Sequence, residues 1–99
     1  MSAYIVAHIT ISDWPTYRLY EAGFMDILRQ YQGEICAADD NGEILEGPAQ
    51  STRTVILRFK DKASALSWYR SGAYQQLAEH RWKASDANIV IINGLDESG

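Results

Sequence analysis

Residues 4–11 read YIVAHITI, and the alternation of their side chains decides the fold. In an extended chain, successive side chains point to opposite faces. One face of this stretch is wholly apolar and carries Ile5, Ala7, Ile9 and Ile11. The other face is mixed and carries Tyr4, Val6, His8 and Thr10. This pattern predicts a β-strand with one buried face.

An amphipathic helix is predicted to follow the strand. Asp13 offers an N-cap oxygen, Pro15 suits a first helical turn, and apolar side chains recur at steps of three and four over residues 14–31. Gly33 is predicted to end this helix in the left-handed conformation. Gly23, inside the helix, is predicted to allow close packing on the sheet.

A hairpin is predicted around Asn41-Gly42, because this dipeptide suits a type I′ turn between two strands. The flanking strands are residues 34–40 and 43–47, and residues 47–51 are predicted to form a loop. Residues 52–60 alternate again and predict a further strand.

Two short helices and a last strand complete the chain. Asp61 is predicted to cap one helix, Ser71-Gly72 to break it, and residues 73–83 to form the next, before a strand at 88–93. The order strand, helix, hairpin, helix, strand predicts an α+β domain of the ferredoxin-like split βαβ type, βαββαβ. Such a domain has an antiparallel sheet with its helices on one face.

Size and composition restrict the protein class. The chain has 99 residues, which predicts a single domain over residues 1–94 and a short flexible tail over residues 95–99. The net charge of -4 and scattered basic residues argue against nucleic acid. Cys36 is the only cysteine; it is predicted to be a small buried residue and favours a reducing, cytoplasmic location. Neither a signal peptide, a membrane span, a metal-binding spacing nor a cofactor motif is predicted.

The second face of the predicted sheet is too apolar to face water. Val90 and Ile92 share it with Val6, Tyr4 and Ile56. Helices cover only one face of such a sheet, so this surface is expected to pack against the same face of a second copy. A homodimer through the sheet face is therefore predicted, with the C-terminal segment as the alternative cover.

Ordered motifs over residues 4–94 resemble the domain-of-unknown-function family 1330. They are YIVAHITI with Asp13, Tyr17 and Tyr20; Leu45-Glu46-Gly47; Arg53 and Phe59; Ala65, Trp68-Tyr69 and Ser71; Tyr74-Gln75; and Arg81 with Ala84. The resemblance implies a dimeric α+β barrel, in which two ferredoxin-like sheets close across the dimer. His8 departs from the family, which usually has Asn there.

Several polar side chains are candidates for a site. His8 could act as a general base in a cleft between the two sheets, or simply form a hydrogen bond across the sheet. Arg53 or Arg81 could hold a carboxylate or enolate, or could pair with Glu46.

Aromatic side chains are candidates for a pocket. Trp68, Tyr69 and Tyr74, with Trp14, could line a small hydrophobic pocket or belong to the core. Tyr4 shares the mixed face with His8 and is a further candidate ligand contact.

Three functions remain open at this stage. The first is a homodimeric module that binds a small organic molecule in the cleft between the sheets. The second is a cofactor-independent oxygenase or isomerase with His8 as general base, an analogy with other dimeric barrels. The third is a purely structural or interaction domain. Whether the protein is an enzyme is left open.

Overall fold

The part of the chain that the structure describes forms four strands and three helices, one strand fewer than the sequence predicts. The computed structural model describes residues 1–48 and 52–95. Most of the predicted loop at 47–51 and, apart from the exposed Leu95, the predicted tail at 95–99 lie outside this part. The elements are β1 (Ala3–Ile11), α1 (Trp14–Gln30), β2 (Glu34–Asp39), β3 (Arg53–Phe59), α2 (Lys62–Arg70), α3 (Gly72–Ala84) and β4 (Ser85–Asn93).

The strands form one antiparallel sheet in the order β2-β3-β1-β4. Ile5 of β1 lies opposite Leu57 of β3 and Ile91 of β4, which places all three on the face covered by the helices. The outer face carries the alternate positions, including Val6 and His8. This arrangement confirms the α+β, ferredoxin-like prediction. Among the described residues, no helix combines the length and the apolar character needed to cross a membrane.

Side-chain caps fix where the helices begin. The Asp13 carboxylate accepts a hydrogen bond from the Thr16 amide at 3.2 Å, and that of Asp61 accepts one from the Ser64 amide at 2.8 Å. Ser71 ends α2 and its hydroxyl accepts from the Tyr74 amide, so the chain turns directly into α3. The predicted N-caps Asp13 and Asp61 and the predicted break at Ser71-Gly72 are confirmed.

The predicted Asn-Gly hairpin is wrong. Residues 43–47 form no strand, and β2 pairs with β3, with Ile35 opposite Leu57. Leu57 belongs to the buried core, whereas Ile44 and Leu45 are exposed. The short segment has no buried face to offer, so the longer alternating strand becomes the partner of β2. Cys36 is another correction: it is exposed, because β2 is an edge strand whose residues are all exposed.

Gly23 and Gly33 both allow close packing, but not in the roles that the sequence analysis predicts for them. The residue with positive φ after α1 is Gln32, at 59°, not Gly33. A Cβ at Gly33 would lie 2.5 Å from Leu28 Cδ1 and 2.7 Å from Phe59 Cε1, so Gly33 is needed for packing. Gly23 faces Leu77 of α3 rather than the sheet.

Candidate functional site

A cavity of about 300 Å³ lies between the sheet and the helices. Its sheet side includes Ala7 of β1 and Val55 of β3, whose small side chains leave space above the strands. Its helix side includes Tyr17, Tyr20 and Phe24 of α1. The alternation of β1 therefore positions one wall of the cavity, and the apolar stripe of α1 positions the other.

Aromatic rings pack against one another along the cavity. The ring centroids of Trp68 and Tyr74 are 4.1 Å apart, and Tyr69 lies 5.5 Å from Tyr74. Phe24 meets Trp68 edge to face at 5.9 Å. Rings that contact several neighbours have little rotational freedom, so these walls keep a fixed shape.

A pair of tyrosine hydroxyls supplies polar character to this apolar lining. Tyr20 Oη and Tyr74 Oη share a hydrogen bond of 2.7 Å and both side chains are buried. Burial, together with the neighbouring Tyr74, raises the pKa of Tyr20 well above its ordinary value. Tyr20 is therefore a neutral phenol at physiological pH and can donate or accept one hydrogen bond.

Arg53 lines the cavity with its charge fully matched. Its Nε donates to Asp40 Oδ1 at 2.6 Å and its Nη2 to Asp40 Oδ2 at 3.2 Å, while Nη1 donates to Glu21 Oε2 at 2.7 Å. The hydrogen bonds from Arg53 lower the pKa of the Asp40 carboxyl below its ordinary value. The guanidinium also lies over the rings of Trp14 and Tyr17, at 5.5 and 5.3 Å.

Arg81 of α3 lines the same cavity, but its charge is not paired as that of Arg53 is. Arg81 is only 4% exposed, and its Nε has no hydrogen-bond partner. No carboxylate among residues 1–48 and 52–95 lies within 4.0 Å of its guanidinium. Its Cζ lies 5.7 Å from the centroid of the Tyr20 ring. The cavity thus holds one neutralised cation and one buried cation without a counter-charge.

Five of the predicted site residues come together in the cavity: Arg53, Trp68, Tyr69, Tyr74 and Arg81. Tyr4, His8 and Glu46 do not line it. His8 lies on the outer face of the sheet, with Nδ1 3.3 Å from Thr54 Oγ1, because its neighbours Ala7 and Ile9 face the helices. Glu46 is exposed between β2 and β3, and the predicted pairing with Arg53 is replaced by Asp40 and Glu21.

Sequence reasoning missed several lining residues. Tyr17 and Tyr20 were visible as part of the helical stripe, but that stripe does not separate core from cavity wall. Asp40 and Glu21 carried no signal, because only the folded chain brings them to Arg53. Within residues 1–48 and 52–95, no group of three His, Cys, Asp or Glu side chains could hold a metal ion.

Solved structures share this fold at low sequence identity. RPA0582 from Rhodopseudomonas palustris, described as a protein of unknown function, has a TM-score of 0.80 and 14% identity, over 96% of this chain and 83% of that one. SnoaB from Streptomyces nogalater, a cofactor-independent oxygenase, has a TM-score of 0.66 and 9% identity, over 96% and 94%. Rv0793 from Mycobacterium tuberculosis has a TM-score of 0.61 and 14% identity, over the full length of both chains, 100% and 100%.

The sequence comparison places the chain in a family, as its ordered motifs predict. No curated protein sequence matches it. A family profile, however, matches residues 2–95, which covers almost the whole chain and every element of the fold. The chain therefore belongs to the family called Domain of unknown function (DUF1330).

Proposed function

We propose that this domain binds a small aromatic molecule in the cavity between the sheet and the helices. The observation that carries the proposal is an aromatic-walled space of about 300 Å³ with a few convergent polar groups. Ligand sites have this character: mostly apolar walls, with hydroxyls or charges that fix orientation. The volume lies at the lower end of the usual range of about 300–1,000 Å³, which suits a ligand of one or two rings.

The proposed site differs in position from the cleft that the sequence suggested. That cleft would lie between two outer sheet faces, where His8 and Tyr4 are. The cavity lies on the opposite face and is formed by one chain. Buried rings, hydroxyls and arginines converge there, and this supports the helix side as the site.

Catalysis by His8 has no support from the position of the cavity. A general base must come within hydrogen-bond reach of the proton it removes. The sheet itself separates His8 from a ligand in the cavity. SnoaB is a cofactor-independent oxygenase, but 9% identity extends to the fold and not to the reaction. We therefore propose binding and assign no reaction.

We also propose that two copies associate through the outer face of the sheet. Val6 lies opposite Ile56 on β3 and Val90 on β4, so an apolar row crosses the centre of this face. An exposed apolar surface of this kind marks an interaction site.

Binding in the cavity can be tested with neutral aromatic probes. We expect benzamide and 2-naphthamide to shift the backbone amide NMR signals of Ala7, Val55 and Tyr74 in a saturable way. Ala38 lines the cavity from the exposed strand β2, so Ala38→Trp should fill the space and weaken binding at least tenfold without disturbing the core.

The matched control is Ala22→Trp, on the exposed surface of α1 and outside the cavity. This variant should bind both amides with unchanged affinity. The proposal fails if neither amide perturbs the cavity residues, or if Ala38→Trp binds as well as Ala22→Trp.

A further inference from the structure

The burial of Arg81 and its lack of a counter-charge indicate which kind of ligand the cavity would bind. A buried charge is strongly unfavourable unless the protein supplies an opposite charge or a full set of hydrogen bonds. Arg81 is 4% exposed, its Nε lacks a partner, and no carboxylate in the described part of the chain lies within 4.0 Å. The chain therefore maintains a cation at the cavity wall without neutralising it.

A comparison with Arg53 shows why the missing counter-charge of Arg81 matters. The same cavity is lined by Asp40 and Glu21, and both of these carboxylates bind Arg53 at 2.6–2.7 Å. Neither forms an ion pair with Arg81. The acids of the cavity are thus engaged by one arginine, and the other is left for something outside the chain.

A second buried donor atom beside the cavity also has no acceptor. Trp68 Nε1 is buried without a hydrogen-bond partner, like Arg81 Nε, and both side chains line the cavity. Indole and guanidinium nitrogens are donors only. These two donor atoms lack acceptors, and the charge that would neutralise Arg81 is negative.

We propose that the cavity ligand is an aromatic carboxylate and that the guanidinium of Arg81 binds its carboxylate group. This rests on the proposed binding function of the cavity. A planar guanidinium matches a carboxylate in two parallel hydrogen bonds, and such charge-assisted bonds are the stronger ones. The aromatic walls suit the ring, and a single unneutralised cation matches one negative charge better than a phosphate dianion.

Pairs of probes that differ only in charge test this assignment. We expect benzoate and 2-naphthoate to bind at least tenfold more tightly at pH 7 than benzamide and 2-naphthamide, as measured by calorimetry. The Nε–H NMR signal of Arg81 in the unmodified protein should move with the carboxylates and not with the amides.

Substitution of the guanidinium should remove the preference. Arg81→Met should bind the acid and the amide within twofold of each other, while Arg70→Met, which removes an exposed charge on α2, should keep the tenfold preference. Arg81→Lys keeps the charge without the planar fork, so its preference should be reduced but present.

The outcomes separate this inference from the function on which it rests. Equal binding of acids and amides, or a preference that survives in Arg81→Met, overturns the carboxylate assignment and leaves cavity binding intact. Failure of all four probes to bind overturns both. If Arg81→Met does not fold, an Arg81 Nε signal that ignores the carboxylates overturns the assignment in the unmodified protein.

Discussion

At the scale of single residues, the contacts of Arg53 determine the charge balance of the cavity. Asp40, directly after β2, and Glu21 of helix α1 hold its guanidinium from two sides. Arg53 is the first residue of β3, so these ion pairs also connect the edge of the sheet to the helix layer. The Asp40 carboxylate is 44% exposed, so solvent screening keeps the stabilisation by this pair at about 1 kcal/mol or less.

Arg53→Met should change the acid titration of the protein. The pKa of Asp40 is lower in the folded chain than in the unfolded chain, mainly because Arg53 donates hydrogen bonds to it. The pair therefore stabilises the fold fully at pH values above the pKa of an unfolded-chain Asp, about 3.9. This stabilisation is lost as the pH falls through the lower pKa that Asp40 has in the folded chain. In Arg53→Met, we expect the pKa of Asp40 to rise towards its ordinary value, as measured by carboxyl NMR.

The control removes a charge elsewhere. Arg29→Met, at the exposed end of α1, should leave the Asp40 titration unchanged. An Asp40 pKa that stays low in Arg53→Met would show that another group holds the carboxylate in its ionised form.

Some features of the cavity could be predicted from the sequence and others could not. Trp68, Tyr74 and Arg81 could be selected from the sequence because rings and arginines are the usual material of small-molecule sites. The state of Arg81 could not be predicted, since it depends on where every carboxylate of the folded chain lies. The wrong pairing with Glu46 has the same origin: Asp40 and Glu46 both follow β2, and only the folded loop selects between them.

At the scale of elements, periodicity was a reliable guide and local turn chemistry was not. The alternation of β1 and the apolar stripe of α1 correspond to buried faces that cover many residues, so tertiary packing and local pattern agree. Asn41-Gly42 is a strong local signal, yet the Asp39 carboxylate accepts a hydrogen bond from the Asn41 amide at 2.8 Å and residues 40–48 form no strand. Pairing of β2 with β3 places Leu57 in the core, and this long-range gain decides the outcome.

Gly33→Ala tests the packing of α1 against the sheet. An added Cβ would meet Leu28 Cδ1 at 2.5 Å and Phe59 Cε1 at 2.7 Å, and both of these residues are fully buried. Because a packed core gives way only by shifting side chains or backbone, we expect a loss of about 1–3 kcal/mol in the free energy of unfolding, measured by urea denaturation. Gly33→Asn should be at least as damaging.

Gly42→Ala is the matched control, since a Cβ there meets nothing within 4 Å. It should leave the free energy of unfolding unchanged or raise it slightly. If Gly33 instead acted as a left-handed cap, Gly33→Asn would be tolerated much better than Gly33→Ala, and the packing explanation would be wrong.

At the scale of the whole molecule, the outer face of the sheet is divided along its length. One row across all four strands is apolar and contains Ala37, Ile56, Val6 and Val90 in register. The row through His8 is polar, with Thr54 on one side and Asn88 on the other. The sequence predicted this mixed face from alternation alone, although it could not place the rows beside each other before the register was known.

Val90→Asp should dissociate the proposed homodimer. Val90 is 55% exposed in the single chain and lies in the apolar row, so a carboxylate there would be buried beside apolar side chains of the partner copy. We expect the unmodified protein to have twice the chain mass of 11.1 kDa by light scattering at micromolar concentration, and Val90→Asp to have the mass of one chain.

Leu19→Asp separates a specific loss from a general effect of charge. Leu19 is also 55% exposed but lies on α1, away from the outer sheet face, so this variant should remain dimeric. Because both substitutions replace an equally exposed apolar side chain by a carboxylate, only the position differs. Dissociation by Leu19→Asp and not by Val90→Asp would move the interface to the helices. A mass of 11.1 kDa for the unmodified protein would leave the apolar row without a second copy to cover it and would refute the dimer.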